Sequence, residues 1–195
     1  MRKKWFLFFL LIIFTAALVW HLWPQSSTTE ARYHPPARTK TSDCKIVHGL
    51  PDPGCTPGAI DTKVTLGELC ARRTEDVRTN SKRLDREVFE SYGVSRHDGV
   101  ERENDHLISL CLGGNDGDIA NHFPQAYEDE AKLKAGQLRD QDLGAHAKDR
   151  VEMWLCRCVC KKGYPLEVAQ RRIATNWLEL FHEYKQRSRG SCPRT

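Results

Sequence analysis

The order of hydrophobic and polar positions divides the chain into an apolar leader, a polar connector and a long amphipathic region. From Trp5 to Trp20 only Thr15 interrupts an apolar run, which continues through His21, Leu22 and Trp23 to Pro24. Counted to Trp23 the run has 19 residues, about 28 Å as a helix against a bilayer core of roughly 30 Å. Residues 24–43 bring Pro24, Ser26, Ser27, Thr28, Thr29, Pro35 and Pro36 and read as a flexible stalk. The pattern therefore predicts an anchor over 1–23, a stalk over 24–43 and one domain over 44–195.

Within the domain the period changes from segment to segment. Residues 51–58, Pro-Asp-Pro-Gly-Cys-Thr-Pro-Gly, are turn chemistry. Thr65 and Glu68 have the spacing of a capping box opening a short helix towards Cys70. Leu84, Val88 and Tyr92 recur at helical spacing, predicting a helix from Ser81 to Tyr92 that stops at Gly93. Leu107, Ile108, Leu110 and Leu112 read as a short buried strand, Gly113–Gly117 as a loop, and Asn121-His122-Phe123-Pro124 as a return to apolar structure. An acidic, helix-prone segment covers 128–141. Two amphipathic helices follow: one over 147–160 aligns Val151, Trp154, Leu155, Cys158 and Val159, the other over 166–186 aligns Ala169, Ile173, Trp177, Leu180, Phe181 and Tyr184. The mixture places the domain in the α+β class.

The flanks of the leader decide its orientation. Arg2, Lys3 and Lys4 precede the apolar run, so the basic end stays in the cytoplasm and the rest is exported, on the inner membrane facing the periplasm or outside the cell. Trp20 and Trp23 suit a membrane interface and favour an uncleaved anchor. Cleavage near Thr15-Ala16-Ala17, giving a secreted protein, is the alternative. Eight cysteines, at 44, 55, 70, 111, 156, 158, 160 and 192, fit an exported chain and read as disulfides. Cys156-x-Cys158-x-Cys160 lacks the spacing of a structural zinc site, and the pairing is not readable from sequence. The formal charge of +4 includes Arg2, Lys3 and Lys4; without them 27 basic residues face 26 acidic ones. Any phosphate-binding surface must therefore be local.

The chemistry concentrates in one string, Glu103-Asn104-Asp105-His106-Leu107-Ile108-Ser109-Leu110-Cys111-Leu112-Gly113-Gly114-Asn115, continuing to Asn121-His122-Phe123-Pro124-Gln125. An acid directly before a histidine offers a carboxylate for a hard cation and a neutral imidazole able to take a proton from water. Asn121, across a Gly-Gly loop, is placed to pin the hairpin and orient that histidine.

This string resembles the HNH, or His-Me finger, nuclease motif, in which an Asp/His-His pair ends one strand and an Asn lies on the next. Pro51 to Gly58, Val77-Arg78, Tyr92-Gly93, Asp105 to Ile108, Leu112 to Gly114, Phe123 to Gln125, Lys148-Asp149-x-x-Glu152 and Ala169-Gln170 extend the resemblance to a family of exported bacterial HNH-like proteins. The resemblance implies a small ββα-metal core at about 103–125 and 147–160, wrapped by helices and stabilised by disulfides. It also implies a metal-dependent nuclease hydrolysing phosphodiester bonds, with nucleic acid as partner, DNA before RNA. Carried over, Asp105 is a metal ligand, His106 the general base and Asn121 the supporting residue, with one divalent cation as cofactor: Mg²⁺, or alternatively Mn²⁺, Zn²⁺ or Ni²⁺. Ser109 and Cys111 replace the family's Pro and Glu. No Cys-x-x-Cys-His follows Asn121, so the last ligand must come from elsewhere: Glu152 with Asp149 on one helix face, or else Glu130 or His146.

Simpler readings stand beside these. His106 fits a buried structural histidine, Asp149 and Glu152 an exposed helix face paired with Lys148 and Arg150, and His122 and His146 the surface. Arg72, Arg73, Arg78, Lys82, Arg83 and Arg86 form a basic stripe, but interleaved acids make it equally a mixed solvated face. Arg78, Lys82 and Lys148 are the expected nucleic-acid contacts. The competing functional class is a non-catalytic, membrane-tethered binding module on the same scaffold.

Overall fold

The computed structural model describes residues 33–79, 81–127, 144–188 and 190–194. The expected anchor, the first part of the stalk, the acidic segment 128–141 and Glu130 lie outside the described residues. Among the described residues no helix is long and apolar enough to cross a membrane. The fold is mixed α+β, with a two-stranded sheet and four disulfides.

Among the described residues two short helices come first. Helix α1, Leu66–Ala71, opens on the expected capping box, in which Thr65 and Glu68 each cap the other's backbone N–H. Helix α2, Lys82–Ser91, is capped by the Ser81 hydroxyl and buries Leu84, Val88 and Phe89. It ends at Tyr92, where Gly93 takes the left-handed conformation (φ 60°).

The strands do not fall where the apolar run predicts. Strand β1 is Arg102–His106 and pairs antiparallel with β2, His122–Ala126, with His106 opposite His122 and Asp105 opposite Phe123. Leu107, Ile108, Leu110 and Leu112 are buried, but they belong to a turn and a 3-10 segment. Their backbone explains the difference. The Ile108 N–H donates to Asn121 Oδ1 (2.9 Å), and its carbonyl accepts from Asn121 Nδ2 (3.0 Å), so a side chain takes the place of a neighbouring strand.

Helices α3, Ala145–Lys162, and α4, Leu166–Gln186, form the main core, with Val151, Leu155 and Val159 packed among Ile173, Trp177, Leu180 and Phe181. Helix α4 breaks at Asn176, whose side chain caps the second half through the Glu179 N–H. Residues 33–43, expected as stalk, lie on the domain: Thr39 and Lys40 donate backbone N–H groups to the Gly54 carbonyl, and Arg38 Nε donates to Cys55 O.

All eight cysteines pair, as 44–55, 70–160, 111–156 and 158–192. The disulfide reading thus holds over the zinc one, and it points to an oxidising compartment outside the cytoplasm. Cys111–Cys156 ties the turn after β1 to α3, one helical turn beyond Glu152. That bridge sets the strand end against the helix face carrying Lys148, Asp149 and Glu152.

Candidate functional site

His106 closes β1, and its ring is buried, at 4% exposure. Nε2 lies 3.0 Å from Asp116 Oδ1. Asp116 is itself held by the Thr79 backbone N–H (2.8 Å) and hydroxyl (2.5 Å). Burial, reinforced by the neighbouring His122 ring, pushes the His106 imidazole down to about 4, so it is neutral at physiological pH. A neutral ring beside a carboxylate must donate from Nε2, which leaves Nδ1 as the basic nitrogen. No described residue bonds Nδ1.

Asn121 is the fixed point of this arrangement. It has no exposed surface, and besides its two bonds to Ile108 it donates to Asn115 O (3.2 Å). The Leu107 N–H donates to the Asn121 carbonyl (2.7 Å), so the residue after His106 is held as well. Gly114 completes the turn: a Cβ there would stand 1.7 Å from the Ile108 carbonyl oxygen. His122, expected at the surface, is buried against the His106 ring, with centroids 4.3 Å apart and Nε2 donating to the Asp116 carbonyl.

The expected metal ligands are only partly brought together. Asp105 Oδ1 accepts the His106 N–H (2.8 Å), and Oδ2 accepts from Lys148 Nζ (2.7 Å). The same ammonium donates to His106 O (2.5 Å) and contacts Glu152 Oε1. Lys148 has no exposed surface, so this expected nucleic-acid contact cannot meet a phosphate. Burial alone would push its ammonium down, but Asp105 and Glu152 outweigh burial and hold it above its ordinary value. Burial pushes the Glu152 carboxyl up, opposed by Lys148. Asp149 is exposed on the same helix and faces the same cleft.

A divalent ion between Asp105 and Glu152 does not fit these residues as they stand, because the Lys148 ammonium is already there. Among the described residues no group of three or more His, Cys, Asp or Glu side chains is arranged to hold a metal ion.

His106 is reached from two clefts. One, of about 610 Å³, runs between β1 and α3 past Asp105, Asp149 and Glu152. The other, of about 410 Å³, runs past Lys82, Asp116 and His122 at the start of α2. Arg78, Glu103 and Tyr127 border both. Burial, with Asp105 and Asp149 alongside, pushes the Glu103 carboxyl up to about 7. Arg78 and Lys82 are exposed and stand on the rims. His146 is exposed beside the Tyr127 ring.

The chain matches no family model, no curated protein and no solved structure.

Sequence reasoning missed Asp116, Thr79 and Glu103, and it misplaced Lys148. Asp116 sits in an Asn-Asp-Gly turn, and nothing local distinguishes it from an ordinary turn residue. Lys148 did leave a signal: it lies three residues before Val151 and seven before Leu155, in line with the buried stripe of α3.

Proposed function

We propose that the chain is a nuclease of the His-Me finger kind, hydrolysing phosphodiester bonds of nucleic acid with His106 as general base. One observation carries the reading. A neutral histidine at a strand end has one nitrogen fixed by a carboxylate and the other bonded by no described residue, on a turn pinned by a buried asparagine. Among the described residues two antiparallel strands are followed by α3, which meets the end of β1 through Lys148, an order that suits an HNH-like ββα core.

In this reading His106 Nδ1 takes a proton from water as the oxygen attacks phosphorus. The P–O bond to the departing nucleotide breaks, and the leaving oxygen takes a proton from solvent. The resulting imidazolium is stabilised by Asp116. Arg78, on the rim of both clefts, neutralises the phosphate, and Lys82 tracks the backbone. Export to an oxidising compartment belongs with the disulfides. Attachment to the membrane through residues 1–23 is part of the same proposal.

The test uses the full chain, oxidatively folded in detergent, with plasmid DNA and with RNA, each in Mg²⁺ and in excess EDTA. Wild type cleaves at least one of them. His106→Gln, which keeps a donor for Asp116 but removes the base, lowers the rate by about 10²–10⁴ with the circular dichroism preserved. A folded wild type that leaves both polymers intact sinks the reading and leaves the tethered binding module.

A further inference from the structure

An ammonium has three donors, and all three of Lys148's are engaged: on Asp105 Oδ2 at 2.7 Å, on the His106 carbonyl at 2.5 Å and on Glu152 Oε1. This is the point at which two carboxylates from different elements, β1 and α3, converge. The side chain reaches it from the buried face of α3 with no surface exposed. Mg²⁺ demands near-octahedral oxygen ligation and keeps much of its water. Neither demand is compatible with a centre filled by a buried side chain. Moving Lys148 out would mean withdrawing it from the core side of a helix that Cys111–Cys156 clamps to the turn after His106.

We propose that Lys148 is the resident cation of this site, holding the position between Asp105 and Glu152 that a divalent metal ion would take, and that it acts as a positioning residue for His106. Its contact with the His106 carbonyl fixes the backbone that carries the base, and its charge offsets part of the negative charge of Asp105 and Glu152, which lowers the repulsion a phosphate meets in the cleft. The catalytic part rests on the nuclease reading; the identity of the cation rests on geometry alone. If both hold, the positive charge at the phosphate comes from Arg78, and cleavage needs no divalent ion.

Two measurements on the full, oxidised chain separate the claims. Mn²⁺ binding is followed by the loss of the free-ion electron paramagnetic resonance signal, without any substrate. Wild type leaves that signal unchanged. Lys148→Met, which opens the gap between the carboxylates, binds one Mn²⁺ per chain, and adding Asp105→Asn abolishes the binding. Nuclease activity is then compared in excess EDTA and in Mg²⁺, with equal rates expected.

Wild-type Mn²⁺ binding that disappears in Asp105→Asn overturns the proposal, whatever the nuclease assay shows. A folded Lys148→Met chain that ignores Mn²⁺ also overturns it. Should Lys148→Met fail to fold, wild type compared with Asp105→Asn and Glu152→Gln still decides whether a metal ion binds here. Cleavage that requires Mg²⁺ overturns the metal-free site but leaves the nuclease reading standing. Absence of cleavage with Mn²⁺ binding confined to Lys148→Met removes the nuclease reading and supports the resident ammonium.

Discussion

Asn121→Ala tests the pin beneath the site. The side chain makes three hydrogen bonds, at 2.9 and 3.0 Å to the backbone of Ile108 and 3.2 Å to Asn115 O. Asn121 and Ile108 both have no exposed surface, so water cannot replace the lost partners without opening the turn. An unsatisfied buried backbone group costs about 1–3 kcal/mol, and a third, partly buried bond about 1 kcal/mol. The expected loss is roughly 3–7 kcal/mol, a large part of the roughly 5–15 kcal/mol that holds a typical domain together. Equilibrium unfolding in guanidinium, followed by tryptophan fluorescence with the disulfides intact, measures it. Asn121→Asp sharpens the test. It keeps an acceptor for the Ile108 N–H but sets a carboxylate against two carbonyl oxygens, so at pH 7 it costs at least as much as alanine. That repulsion raises the introduced carboxyl's pKa in the folded state. The deficit relative to wild type is therefore greatest above that raised value and shrinks as pH falls through it. A loss below about 1 kcal/mol for Asn121→Ala, or an aspartate variant as stable as wild type at neutral pH, would refute the idea that these bonds hold the turn.

Three further outcomes follow from the same geometry. Gly114→Ala puts a Cβ 1.7 Å from the Ile108 carbonyl and is expected to lower the guanidinium midpoint as clearly as Asn121→Ala; an unchanged midpoint would show that the turn can shift. Cys111→Ser/Cys156→Ser opens a loop of 45 residues and is expected to cost about 4 kcal/mol on chain-entropy grounds, with amide exchange rising in β1 and α3 before α4. Burial of the Tyr92 phenol, which is bonded to Thr56 Oγ1 at 2.7 Å, pushes it up to about 12. Its contribution to stability is complete below the ordinary phenol range near 10 and is lost as pH rises through about 12. Absorbance at the phenolate band should lose a transition near that pH in Tyr92→Phe; a missing transition near 10 would contradict the burial argument.

How legible each part was depended on whether its cause was local. The capping box at Thr65 and Glu68, the Ser81 cap and both long helices follow from spacing and end residues, and the structure has them within two residues of the expected bounds. Strand β1 was illegible because its residues, Arg102 to His106, are polar: they line clefts, so the alternation that marks a half-buried strand is absent. The apolar run behind it looked like a strand, but its burial serves a turn whose hydrogen bonds come from Asn121, 13 residues away. Adjacency made Asp105 and His106 conspicuous. Their partners, Asp116, Thr79 and Lys148, come from a turn, a loop and a helix that only the fold brings together.

The cysteine framework sets a condition on how the chain is made. Cys156, Cys158 and Cys160 occupy alternate positions of one helix, yet their partners are Cys111, Cys192 and Cys70. A chain oxidised as it emerges, each thiol joining the nearest one upstream, would form Cys44–Cys55 correctly and then close Cys70 onto Cys111, which is not a native pair. By the same rule Cys158 would close onto Cys156 and Cys192 onto Cys160, and neither is a native pair. An oxidant alone therefore traps scrambled isomers, whereas thiol–disulfide exchange lets the packed helices select their pairing. In the cell the protein's yield is expected to depend on a disulfide isomerase as well as on an oxidase, and in a refolding vessel on a glutathione couple in preference to air.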